Sequence, residues 1–218
     1  MIPLQFALRR RMMRAGGGGA PISELPLGTL IRIADSDGGA GDANYEIADI
    51  NNLVSGGVVL VRKNIYSKSA FGSNPNYPDG TLDNLIKTTI YNKMPQKLRD
   101  KMIDVTFNLY GPGDITRKMF ALTYTMAGSG NNNGVAEGKA LQLYTNYASR
   151  VKTLKGSAEY WWLSSRDYYS SAWRVSKNGS ASTFNSTRSY GVVPAFVIPS
   201  KSPYDPTPNT DGSYNLAL

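Results

Sequence analysis

Residues 160–198 read YWWLSSRDYYSSAWRVSKNGSASTFNSTRSYGVVPAFVI, and this stretch organises the chain. Two apolar blocks, 160–163 and 191–198, enclose a middle rich in Tyr, Ser, Asn, Thr and Arg. A core demands apolar periodicity, and a flexible loop holds few aromatics. A recognition surface instead uses Tyr and Trp for contact area, with Ser and Asn for adaptable hydrogen bonds. The flanks are therefore read as scaffold and the middle as a surface that touches a partner. In a strand, Trp161 and Leu163 point one way and Trp162 the other. Residues 172–175 predict a second strand and Gly179 a turn. Residues 192–198 predict a final strand, apolar enough for a central position buried on both faces.

The whole chain bounds what that surface can do. Its 218 residues suffice for one domain with a sizeable core and no covalent staple. It contains no cysteine and no histidine. Disulfides and thiolate zinc sites are thereby excluded, and the commonest general base, metal ligand and thiol nucleophile are missing. These absences argue against an enzyme. The remaining candidate acids, Asp104, Asp114, Glu137 and Glu159, show no recognisable pairing and are expected at the surface or at helix caps. The formal charge of +8 raises the question of nucleic acid, but Arg9, Arg10, Arg11 and Arg14 concentrate part of it in the first fourteen residues and leave a mildly basic body. No nucleic-acid partner is expected. No apolar run approaches the ~20 residues of a membrane span, and the N-terminal arginines follow a short apolar stretch, unlike those of a secretory signal.

Outward from the central stretch, residues 1–15 predict a short amphipathic arm. Leu4, Leu8 and Met12 repeat at a spacing of four, Phe6 widens the apolar side, and Arg10 and Arg11 lie among them. So short a helix is marginal alone, and the preferred reading is an assembly anchor into a larger particle. A frayed terminus and a membrane-surface helix are the other two readings. Residues 16–21 are a Gly-rich linker, 22–198 the domain, and 199–218 a Pro-rich tail expected to be extended. Strands are predicted over 29–33, 45–50, 58–61, 103–109 and 118–123, and helices over 82–90, 96–102 and 135–151, the last presenting Leu141, Tyr144, Ala148 and Val151. The segments 74–80 and 129–134 are turn-rich loops. Asp35, Asp37 and Asp42 alternate with glycine but lack the late bidentate Glu of a helix-loop-helix calcium site. A hairpin loop is the preferred reading; no cofactor is expected, with calcium as the alternative.

The blocks YWWLSS, AWRV, Gly179 and GVVPAFVI resemble the signature of a domain family of uncharacterised function found in bacteriophages of gut bacteria and in bacterial surface proteins. Members carry W-W-L-R-S/T-P and end in G-V-R-P-A; here Ser164 and Val193 stand in place of the two arginines. Upstream, LGTLIRI at 27–33, ITRKMFALTYTMAG at 115–128 and VAEGKALQLY at 135–144 extend the resemblance more weakly. It implies an α+β, C-type-lectin-like fold of short twisted antiparallel sheets with two or three helices. That fold is shared with formylglycine-generating enzymes and with the variable receptor-binding proteins of diversity-generating retroelements. The enzymes of that kind use paired cysteines, absent here.

The resemblance also implies a function. The expected protein is a non-enzymatic virion component, attached through its N-terminal arm to other virion proteins and binding a host cell-surface glycan or protein. The expected contact residues are Ser165, Asp167, Tyr168, Tyr169, Ser170, Ser171, Trp173, Asn185, Arg188 and Tyr190. Segments 165–171 and 178–190 have the Tyr/Ser/Asn composition of a retroelement variable region. Homo-oligomerisation is expected. A structural decoration protein of tail or capsid is the alternative function, and a bacterial cell surface the alternative location.

Overall fold

The computed structural model describes residues 19–33, 43–168 and 170–218. The readings placed on residues 1–18, including the arm residues Leu4, Phe6, Leu8, Arg10, Arg11 and Met12, lie outside these, as do the 34–42 loop with its aspartates and Tyr169.

Two sheets dominate. The first has six strands in the order β17-β2-β3-β4-β15-β8: Tyr214–Asn215 (β17), Leu30–Arg32 (β2), Asn44–Ile50 (β3), Gly57–Arg62 (β4), Pro194–Pro199 (β15) and Met119–Ala121 (β8). β4 and β15 are buried along nearly their whole length, which matches their unbroken β-branched and aromatic runs. The pairing of β3 with β4 slips between Ile47 and Asp49, leaving Ala48 opposite no single residue. This bulge turns the Ala48 carbonyl toward the Leu143 amide at 3.0 Å.

The second sheet has the order β13-β12-β11-β14-β5: Ala181–Asn185 (β13), Ser171–Val175 (β12), Trp161–Arg166 (β11), Ser189–Val192 (β14) and Ser67–Ala70 (β5). Trp161 and Trp162 are both fully buried on opposite faces of β11. Their indole N–H groups donate to the carbonyls of Arg150 and Ser69, each at 3.0 Å, so neither ring leaves a polar atom unsatisfied. β11 meets β14 in parallel at Trp161 and Gly191. A side chain at 191 would have its Cβ 2.6 Å from Ile65 Cδ1 and 2.8 Å from the Tyr160 carbonyl, so the close approach requires glycine. The stretch expected as one strand over 192–198 is divided: the chain leaves the second sheet at Val192 and enters the first at Pro194. Proline at the first residue of a strand forfeits no donor the ladder needs there.

Helix α1 runs without a break through Thr81–Asn84, a π-helical Leu85–Ile90 and Tyr91–Lys93. Leu82, Ile86 and Ile90 are fully buried on its inner face. Helix α2, Gln96–Lys101, follows Pro95. The hairpin of β6, Val105–Leu109, and β7, Gly113–Arg117, alternates in burial as its sequence predicts. A small hairpin, Lys152–Leu154 (β9) with Ser157–Glu159 (β10), completes the body.

Two expectations are corrected. The described chain is mostly β, 39 % strand against 13 % helix, with one 13-residue helix, and this overturns the α+β, C-type-lectin-like assignment with two or three helices. The helix expected over 135–151 is absent; only a single turn, Ala148–Arg150, is helical. Leu141 and Tyr144 are buried as their spacing suggested. However, the amides of Leu141, Gln142 and Leu143 bond to Met126 O, Asp49 Oδ1 and Ala48 O, so distant partners replace the i−4 carbonyls of a helix. Gly138, at φ +88°, also breaks the run. Residues 199–218, read as an extended Pro-rich tail, contribute two short strands. Pro203–Tyr204 (β16) pairs with Ala20–Pro21 (β1), and β17 runs parallel to β2, with Tyr204 and Ser213 buried.

Candidate functional site

The slip in β11 builds the site. Trp162 faces Arg174 and Arg166 faces Ala172, so four steps along β11 match two along β12. The surplus residues turn Ser165 inward, where it is fully buried. Ser165 Oγ accepts from the Tyr124 amide at 2.7 Å and donates to Glu137 Oε2. Glu137, also fully buried, accepts through Oε1 from the Tyr110 amide at 2.9 Å and from Asn132 Nδ2 at 3.1 Å. Asn132 Nδ2 further donates to the Arg166 carbonyl at 2.7 Å, and Asn132 Oδ1 accepts from Trp173 Nε1 at 3.0 Å. Burial pushes the Glu137 carboxyl above its ordinary range, opposed by the hydrogen bonds from Ser165, Tyr110 and Asn132 that favour the charged form. One buried carboxylate thus ties together the roots of the Tyr110 and Arg166 loops and the Trp173 ring.

Three loops meet above this network. The β11–β12 turn closes through Asp167 N to Ser171 O at 2.9 Å and Ser171 N to Tyr168 O at 3.2 Å. Ser186 N donates to Ser170 O at 3.0 Å, while Phe71 N donates to Ser186 O at 2.9 Å, which draws the 71–80 loop alongside the turn. Arg166 Nη1 donates to Asn76 Oδ1 at 2.9 Å, and its guanidinium lies 5.5 Å from the Tyr110 ring. Tyr110 packs edge-on to Tyr168 with centroids 6.0 Å apart. Gly111, at φ +94°, leaves the space the guanidinium fills; a Cβ there would sit 2.2 Å from Arg166 Nη2. Asn76, Pro78, Gly111, Pro112 and Arg166 line an open cavity of about 180 Å³. It adjoins a second, of about 290 Å³, which shares Asn76 and Pro78 and is lined further by Ser73, Asn74, Thr81 and Asn84.

The sequence-predicted residues divide by depth. Tyr168 is 55 % exposed, and Ser170, Asn185 and Arg188 are exposed as well. Asp167 and Ser171 are half-buried. Ser165 lies under the face, not on it, because its hydroxyl is bonded wholly within the protein. Trp173 is half-buried against Tyr124, with centroids 4.2 Å apart. Tyr190 is also half-buried: with Tyr160 and Phe184 it surrounds the Arg174 guanidinium, whose Cζ lies 4.4, 4.2 and 4.1 Å from the three ring centroids. That cage fills the concave side of the ring cluster with an internal cation and turns Tyr190 into framework. Glu137, expected at the surface or a cap, is instead the buried hub. Asn76, Pro78, Tyr110 and Gly111 were not anticipated; the turn-rich NPNYPDG segment was the available signal, and nothing in it fixed which strand ends it would meet.

Two other buried carboxylates, Glu46 and Asp83, are paired with cations and are structural. Glu46 accepts from Tyr144 Oη at 2.9 Å and from Lys63 Nζ at 3.2 Å, and it is bonded to Lys152. Asp83 takes Arg117 Nε at 3.0 Å and Nη2 at 2.7 Å. Among the described residues no group of three or more acidic side chains is placed to hold a metal ion.

Residues 55–200 match the family described as a domain of unknown function, DUF6273. The chain belongs to that family. No curated protein and no solved structure matches. The expected likeness to a domain family of uncharacterised function is met at that level. The DUF6273 span includes the whole second sheet and all three loops of the face. It leaves out β2, β3 and β17 of the first sheet, which lie before residue 55 or after residue 200.

Proposed function

We propose that this DUF6273 protein is a non-enzymatic recognition module that binds a cell-surface polymer through the face formed by the 71–80, 110–112 and 167–170 loops. The observation that carries this reading is the construction of the face: an exposed Tyr168 and adjoining polar cavities stand on loops braced from below by the Glu137 network. A binding surface gains from rigid support, because the ordering of its loops is already complete before the partner arrives. Aromatic rings supply apolar area, and the surrounding amides and hydroxyls set orientation.

The setting is a phage particle surface, with a bacterial cell surface as the alternative location. In that setting the basic amphipathic segment carrying Leu4, Phe6, Leu8, Arg10, Arg11 and Met12 attaches the domain to other virion proteins, and copies of the chain assemble as a homo-oligomer. Diversification of 165–171 and 178–190 by a retroelement would leave a near-identical template repeat and a reverse transcriptase beside the gene; their absence would remove that part of the proposal.

Labelled protein applied to a panel of bacterial strains tests the binding. Saturable attachment to particular strains is expected, abolished by Tyr168→Ala with Tyr169→Ala. Tyr147→Ala is the control: this ring is 61 % exposed but lies beside Gly179, at the far end of β12. Attachment unaffected by the Tyr168/Tyr169 pair, or lost equally with Tyr147→Ala, would refute the assignment of the face.

A further inference from the structure

We infer that the Arg166 cavity receives the carboxylate of an acidic sugar, so that the polymer bound by this face is a carboxylate-bearing glycan. This rests on the recognition role proposed above and adds the ligand's chemistry. Arg166 pairs with no carboxylate among the described residues; its named partner is the neutral Asn76 side chain. Its Nε is enclosed and has no hydrogen-bond partner among the described residues. Arg117 grips Asp83 through two nitrogens and Arg174 is shut among three rings, whereas Arg99 and Arg150, like Arg166, hold neutral partners; Arg166 is placed on the wall of a cavity of the proposed face. An uncompensated guanidinium held in a fixed plane suits a planar anion, because its forked donors match two carboxylate oxygens.

The plane is fixed by construction. Gly111 at φ +94° gives the guanidinium its seat, Tyr110 stands beside it, and Asn76 holds one nitrogen. Pro78 and Pro112 form apolar walls, and about 180 Å³ leaves room for a carboxylate with part of its ring.

The adjoining cavity distinguishes a sugar from an acidic peptide. Ser73, Asn74, Asn76, Thr81 and Asn84 line it with hydroxyls and amides; Asn74 Oδ1, Asn76 Oδ1 and Asn84 Nδ2 are bonded within the protein, and the remaining donors and acceptors complement hydroxyl groups. The acid at this cavity, Asp79, is already matched by Lys87, so it does not repel an anionic chain as a free carboxylate would. Tyr168, at the edge, presents apolar area of the kind that stacks on a pyranose face. A glutamate side chain would fill the Arg166 end, and the peptide beyond it would bring about one backbone donor and one acceptor per residue to the adjoining cavity, where a pyranose brings several hydroxyls that each donate and accept.

The full-length protein is titrated against immobilised oligosaccharides containing glucuronate, galacturonate or N-acetylneuraminate, against the same oligosaccharides with carboxyl reduced to alcohol, and against poly-glutamate. Binding to at least one acidic sugar is expected, weakened at least tenfold by carboxyl reduction. Arg166→Met should weaken it by a similar factor and should leave no further loss on reduction, because both changes remove the same contact. Arg166→Lys, which keeps the charge but not the fork, should fall between. Thermal unfolding of each variant shows that the domain is intact, and carboxyl reduction leaves the protein untouched in any case. Binding that ignores carboxyl reduction, preference for poly-glutamate, or no acidic sugar bound at all would overturn the inference. Loss of cell attachment in the Tyr168/Tyr169 variant but not in Arg166→Met would overturn it while leaving the recognition role standing.

Discussion

Replacing Glu137 by alanine tests the idea that one buried carboxylate supports the face. Three donors converge on it: the Tyr110 amide, Asn132 Nδ2 and Ser165 Oγ. Their fates differ. Asn132 Nδ2 keeps the Arg166 carbonyl, and the Ser165 hydroxyl can rotate, but the Tyr110 amide loses its partner. A buried donor left unsatisfied costs about 1–3 kcal/mol, and a hydrogen bond to a charged group contributes about 1.5–3 kcal/mol. Relief of the buried charge offsets part of the loss. The net expectation is about 3 kcal/mol of destabilisation, or a melting temperature lower by roughly 6–12 °C in a domain of this size. Glu137→Gln keeps the volume and one carbonyl acceptor, and should lose about half as much. The pH dependence has a definite sign. Burial raises the folded-state value above the ordinary 4.5, so the folded protein binds this proton more tightly than the unfolded chain does. Its contribution is complete below the ordinary value and falls as pH rises through the raised one. Wild-type stability should therefore decline relative to Glu137→Gln as pH rises from the ordinary carboxylate value through the raised folded one. Urea titrations across that range, with amide hydrogen exchange of 108–112 and 165–168, measure both effects. A change below about 1 kcal/mol for Glu137→Ala, or equal losses for Ala and Gln, would refute the reasoning, the second because it would point to volume instead of hydrogen bonding.

Other perturbations reach the framework around the face. Arg174→Met removes a guanidinium whose Cζ lies 4.1–4.4 Å from three ring centroids; a desolvated cation–π contact is worth about 2 kcal/mol, and a urea midpoint unchanged from wild type would show the cage to be inert. Gly179→Ala would bring a Cβ to 1.8 Å from the Tyr147 carbonyl at φ +86°, so a loss above about 2 kcal/mol is expected from strain and displacement together. At Glu46, burial opposes ionisation, but Lys152 and Lys63 and the bonds from Lys152 and Tyr144 outweigh it and hold the carboxyl below its ordinary range. Its stabilisation is present above the ordinary value near 4.5 and is lost as pH falls through the lower folded one. Glu46→Gln should therefore be weaker than wild type at pH 7 and should lose less on transfer to pH 3, read from urea midpoints.

Local patterns made much of the scaffold legible. The i+4 spacing of Leu82, Ile86 and Ile90 marked the inner face of α1, and the unbroken GVVLVR and PAFVI runs marked strands buried on both faces. The same logic failed at Leu141 and Tyr144. Their spacing records that they face the core, yet an irregular segment with a turn from Leu141 to Tyr144, bonded to Met126 and Ala48, buries them as well as a helix would. Periodicity reports burial, and the backbone partners that decide between helix and loop are remote in sequence. The site was half legible for a related reason. The Tyr/Ser/Asn composition located the 167–171 turn, but the slip in β11 that buries Ser165, and the meeting of Asn76 with Arg166 across 90 positions, depend on strand pairing that composition does not encode.

The central claim, that the 167–170 side of the second sheet is the surface that meets a partner, is tested most directly by photocrosslinking from that surface. A photoreactive phenylalanine analogue is placed at Tyr168 in one variant and at Tyr147, comparably exposed at the opposite end of β12, in another. Each is illuminated on the bacterial cells that bind the wild-type protein. Covalent capture of cell-surface material from position 168 and not from 147 is the predicted result; capture from 147 alone, or equally from both, would contradict it.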